Sequence, residues 1–139
     1  MQKNKFKTLL IVVALTFCWI INSNFNVNSS ESQLSKLMRI MANDVKSTRV
    51  KIIAGEKIDP YQKKYKKLIT AKASADSKKG EHYEEYAQLF LVQYDRFYSC
   101  EKSNQKKEFN NLISTCVRCH ETYCPGPLTM IKKMKISPE

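Results

Sequence analysis

The sequence predicts an all-α fold, an antiparallel four-helix bundle, from two observations. Apolar residues recur at three- and four-residue steps through four separate segments, the mark of one buried helical face. No segment alternates apolar with polar residues as a half-buried strand does, and only 3 Gly and 4 Pro interrupt 139 residues.

The first helix is expected over about Glu31–Ala54, with Leu34, Leu37, Met38, Met41, Val45, Ile52 and Ile53 on its inner side and Gly55 as its stop. Asp59-Pro60 predicts the start of a second, an N-cap followed by Pro at the first position. Its face is Tyr61, Tyr65, Leu68 and Ile69, and it fades in the small, polar stretch 72–80. The third, about Glu81–Glu101, carries the strongest stripe: Tyr83, Tyr86, Ala87, Phe90, Tyr94, Phe97 and Tyr98. The fourth, about Ser103–Tyr123, aligns Phe109, Leu112, Ile113, Cys116 and His120 and ends before Pro125-Gly126-Pro127. Residues 128–139 read as a basic tail, which leaves 31–127 as the folded domain. Short connections between such helices make neighbours antiparallel.

The first 30 residues are of another kind. Lys3, Lys5 and Lys7 precede a 13-residue apolar run, Leu9–Ile21, and a polar exit follows. That order predicts a secretory signal peptide over residues 1–30 and an exported, periplasmic product. The run is shorter than the roughly 20 residues of a membrane-spanning helix. A membrane contact is expected only if this segment is retained as an anchor. Cys18 follows Phe17, too bulky for the position before a lipidated Cys.

The net charge is +11, and removing the three leader lysines leaves about +8. The lysines are scattered along every expected helix, as in Lys63-Lys64-Tyr65-Lys66-Lys67, and form no recognition motif. They predict a solvated surface that steers acidic partner proteins, not a nucleic-acid face. Of five Cys, those at 100, 116, 119 and 124 lie beyond the leader, in a compartment where free thiols are unusual.

Cys116-Val117-Arg118-Cys119-His120 is the attachment signature of c-type haem. On a helix, positions three and four apart share a face, so both thiols and the imidazole point the same way. Two thiols can add to two vinyl groups while His120 reaches the iron from one axial side. A zinc site would need a second ligand pair, and Cys100, Cys124 and His82 supply none at metal spacing. A thioredoxin-like pair would need a preceding strand. One covalent haem c is therefore expected, with no enzymatic activity. A distal His with an adjacent Arg, as a peroxidase would require, is missing.

A helical bundle with this motif on its last long helix resembles the class II cytochromes c, cytochrome c-prime and its low-spin relatives. The resemblance covers Gln33–Tyr123 and rests on the position of the motif, Phe109-Asn110-Asn111-Leu112 before it, Met38-x-x-Met41 on the first helix, and Gly55. It implies thioethers at Cys116 and Cys119 and a proximal ligand at His120. It implies that the first helix covers the distal side, where Met38, or Met41 one turn deeper, is the candidate sixth ligand. Met130 and Met134 in the tail are lesser candidates, Met is also an ordinary core filler, and His82 reads as a surface residue. Cytochromes c-prime usually carry a basic residue four positions after the ligand His, where this chain has Cys124. The expected function is electron transfer with redox partner proteins. A five-coordinate protein binding NO or CO is the alternative, and a homodimer is compatible with either. A Cys100–Cys124 disulfide is favoured by compartment and even count. It is opposed by the length of the helix between the two cysteines, and the rival is a free Cys124 beside the haem.

Overall fold

The computed structural model describes residues 31–74 and 79–137; the expected signal peptide lies outside them. All regular structure among the described residues is helical. Helix α1 is Gln33–Ala54, α2 Tyr83–Ser99, α3 Gln105–Tyr123 and α4 Leu128–Lys132, with 3-10 helices at Lys63–Leu68 and Lys102–Asn104. No described helix is long and apolar enough to cross a membrane.

The ends of α1 follow from two residues. Ser32 accepts the Ser35 N–H at 3.1 Å, and Gly55 turns left-handed at φ 69° so that its N–H can reach back to the Ile52 carbonyl at 3.2 Å. A side chain at Gly55 would strain that turn by roughly 1 kcal/mol.

Helices α2 and α3 pack along their length. Gln93 bonds Glu108 and the Phe97 ring meets Phe109, while at the other end Tyr86 lies against Tyr123. The pairing is antiparallel. Helix α1 also opposes α3, since Leu34 shares a cleft with Tyr123 and Arg49 shares one with Asn110. Phe109, Leu112 and Ile113 of α3 are fully buried at the centre. Phe109→Ala should cost about 3–5 kcal/mol, read as a lower denaturant midpoint.

Two expected segments differ. The second helix is a six-residue 3-10 turn, and the cause lies in its own start signal. The Asp59 carboxylate is held by Lys51 of α1 at 2.6 Å and so does not cap. The Gln62 N–H, which the cap would have satisfied, donates instead to the Tyr94 hydroxyl at 3.0 Å. The segment still travels back along α1: Lys64 and Tyr65 reach Asp44, and Lys72 pairs with Leu34 and Gln33. It thus takes the path of a second helix without its regular backbone. The expected tail also folds. Pro127 leads into α4, and Ile131, Met134 and Ile136 are buried in the same core as the long helices.

Tyr61, Tyr65 and Phe90 surround Tyr94 with ring centroids 4.9, 5.2 and 5.7 Å away. Burial raises the hydroxyls of Tyr65, Tyr83 and Tyr94 above the ordinary value of 10.0. A raised pKa gives stability that is whole below the ordinary range and is lost as pH climbs through the raised values. The helical circular dichroism should hold to about pH 10 and collapse above it; a collapse well below pH 10 would contradict this packing.

Candidate functional site

The candidate site is the last two turns of α3 and the gap that faces them. Helix α1 touches α3 only sparsely, and between them lie three adjoining clefts. All three are lined by both Met38 and His120. The outermost, about 860 Å³ with its open mouth included, runs past Leu34, Ser35, Arg39, Lys79, Tyr83, Cys119, Tyr123 and Cys124. A second, about 680 Å³ on the same measure, is bounded by Met41, Val45, Phe90, Ile113 and Cys116, and by Pro127, Met130, Ile131 and Met134. Cys116 and Cys119 both line the cleft between these two. The spacing expectation holds: both thiols and the imidazole face one gap.

His120 is oriented by the chain that follows it. Its Nδ1 lies 2.9 Å from the Cys124 carbonyl oxygen. A carbonyl only accepts, so Nδ1 carries the hydrogen and, in the neutral ring, Nε2 keeps its lone pair. This is the second-sphere arrangement that fixes ring and tautomer in a metal-ligating His. The Cys124 N–H in turn donates to the His120 carbonyl at 3.2 Å, which closes the last turn of α3. Cys124 acts here through its backbone.

The thiols differ in setting. Desolvation, then the neighbouring Cys119, pushes the Cys116 thiol up to about 12, and desolvation, then Cys124, raises Cys119. Cys124 is exposed, and all four described cysteines are free. On polypeptide carrying no adduct, a thiol reagent at pH 8 should therefore label Cys124 first and Cys116 last, because the thiolate is the reacting form. Peptide mapping over a time course checks the order.

Helix α3 explains why Cys100 and Cys124 do not pair. Cys100 caps α2 next to Glu108, at the start of α3, and Cys124 follows its end. Nineteen helical residues separate those ends, roughly 27 Å at 1.5 Å per residue, against about 7 Å for a bridge.

Comparison with protein-family models, curated proteins and solved structures finds no match to this chain.

Of the aromatic stripe on α2, Tyr83, Tyr86 and Phe90 reach the clefts, whereas Tyr94 and Phe97 pack in the core. Tyr123 stands across the outer cleft between Tyr83 and Tyr86, at 6.0 and 5.8 Å. Its ring lies so close to Gly80 that a Cβ there would meet Cε1 at 2.5 Å. His82 is exposed, pairs with Glu85 at 3.1 Å and lines none of the three clefts. Sequence reasoning missed Arg39, Lys79 and Ile131, and it placed the lesser candidates Met130 and Met134 in a tail rather than on a docked helical segment. The three-residue step from Leu128 to Ile131 to Met134 was a usable signal for α4, masked by Lys132, Lys133 and Lys135. Among the described residues no group of three or more His, Cys, Asp or Glu could hold a metal by itself.

Proposed function

We propose that this chain is a mono-haem c-type cytochrome that transfers electrons, with the haem bound covalently between α1 and α3. The observation that carries the reading is the joint geometry of Cys116, Cys119 and His120. Both thiols and an imidazole with its Nε2 left bare line one predominantly apolar gap. A bound haem would supply an iron that cycles between two oxidation states. The residues present fit that group. Cys116 and Cys119 would hold the group through thioethers, each made by adding its S–H across one vinyl C=C, with one C–S and one C–H bond formed and the C=C lost. His120 would hold the iron through Nε2, and its Nδ1 hydrogen bond to the Cys124 carbonyl fixes the ring for that role. Arg39 and Lys79 line the outer cleft and offer positive charge to the ligand's carboxylates.

Met38 is better placed than Met41 to be a second protein ligand to the iron. It lines the same three clefts as His120, whereas Met41 is 6% exposed and absent from the outer one. A thioether ligand in both oxidation states keeps the change of geometry per electron small. The path of residues 56–74 back along α1 supports a bundle in which one helix is replaced by a looser strap. Exposed Lys63, Lys64, Lys66 and Lys67 on that strap suit acidic redox partners. Export through the leader would supply the compartment in which such haem is attached.

Oxidised and reduced absorption spectra of the purified protein test the proposal. Sharp low-spin haem c bands with a near-infrared sulfur-to-iron band are expected. A colourless protein with all thiols free would end it.

A further inference from the structure

A second pocket lies away from the gap described above, where the last turns of α1, the first half of α3, and the end of α4 with the segment after it meet. It is lined by Arg49, Asn110, Asn111, Ser114, Lys132, Lys133, Lys135, Ile136 and Ser137. Four of these nine are cations and none is an acid. Lys132 pairs with Glu121 at 3.1 Å, so three positive charges lining the pocket have no counter-charge among the described residues.

Two further observations make this more than a solvated patch. The Nε of Arg49 is shut off from solvent and has no hydrogen-bond partner among the described residues. Buried donors are almost always satisfied, and an orphan calls for an unseen acceptor. The chain that carries the lysines is also fixed in place. Asn110 donates from Nδ2 to the Ile136 carbonyl at 2.7 Å and accepts the Ile136 N–H on Oδ1 at 2.8 Å. With Ile131, Met134 and Ile136 buried, Lys132, Lys133 and Lys135 are left on the exposed side. Like charges held together by packing repel one another. A small anion with several acceptor oxygens relieves that repulsion and can accept from the guanidinium of Arg49, which lines the pocket.

We infer that this pocket binds a multiply charged tetrahedral oxyanion of the phosphate or sulfate class. Arg49 is the anchoring donor, and Lys133 and Lys135 supply the remaining charge. The ligand is a free ion rather than a lipid headgroup, because Ile136 is the only apolar residue in the lining. The inference does not depend on haem.

The test is thermal melting of the full chain, as purified, across a series of sodium phosphate concentrations. Sodium chloride holds the ionic strength constant throughout. Phosphate should raise the melting temperature along a saturating curve, as a ligand that binds only the folded state does. Lys133→Gln with Lys135→Gln, both exposed in the native chain, should weaken the apparent affinity at least tenfold, and Arg49→Gln should do the same. If Arg49→Gln fails to fold, the double lysine variant carries the test. A chloride series with an equal rise, no rise with phosphate, or unchanged affinity in the double variant would overturn the site. Phosphatidylglycerol vesicles that sediment the chain, without a saturable response to inorganic phosphate, would assign the patch to a membrane and overturn it as well.

Discussion

Met38→Ala should convert a low-spin absorption spectrum into a high-spin one, open the iron to carbon monoxide and lower the reduction potential. The expectation follows from position. Met38 and His120 line the same three clefts from opposite helices, α1 and α3. A thioether opposite the imidazole favours ferrous iron, so its loss shifts the couple toward the ferric state. Met38 is half-buried, whereas Met41 packs in the core. Met41→Ala should therefore cost mainly stability, about 2–5 kcal/mol for a buried methionine, and leave the spectrum low-spin. A reversed pattern would move the ligand to Met41. If neither substitution alters the spectrum, and the unmodified protein already takes up carbon monoxide, the five-coordinate gas-binding reading replaces electron transfer.

The second large effect concerns attachment. Cys116→Ala combined with Cys119→Ala should abolish haem staining on a denaturing gel, while Cys119→Ala alone should leave at most a single thioether. The two sulfurs lie one turn apart on α3 and share one cleft, so each can reach its own side of a flat ligand. Haem that persists on the denatured double variant would show that the bonds lie elsewhere. His120→Ala separates the roles. The thioethers should form, but without the imidazole held by the Cys124 carbonyl the native proximal ligation should be lost.

Much of this was legible in the sequence where the determining contact is local. Gly55 ends α1 because a left-handed residue is needed within the same turn, and Gly supplies it without strain. Cys116, Cys119 and His120 face one way because their spacing alone sets the helical angle. The second helix was misread because its start signal is overruled from elsewhere. Asp59 answers to Lys51, and Gln62 to Tyr94, 32 residues away. Residues 128–137 were read from their charge as a tail, yet Ile131 and Met134 provide enough buried surface to dock them. The walls of the gap could not be read from α3 alone. Leu34, Lys79 and Met130 come from three separate parts of the chain and meet it only in the folded protein.

The central claim, covalent haem at Cys116 and Cys119, is tested most directly by intact mass spectrometry. Purified protein would be extracted with acid–acetone and alkylated without reduction before measurement. The predicted result is a polypeptide heavier by one haem, with Cys116 and Cys119 unmodified by the alkylating reagent and Cys100 and Cys124 both modified. Free haem in the acetone phase, with Cys116 and Cys119 alkylated on the polypeptide, would contradict it.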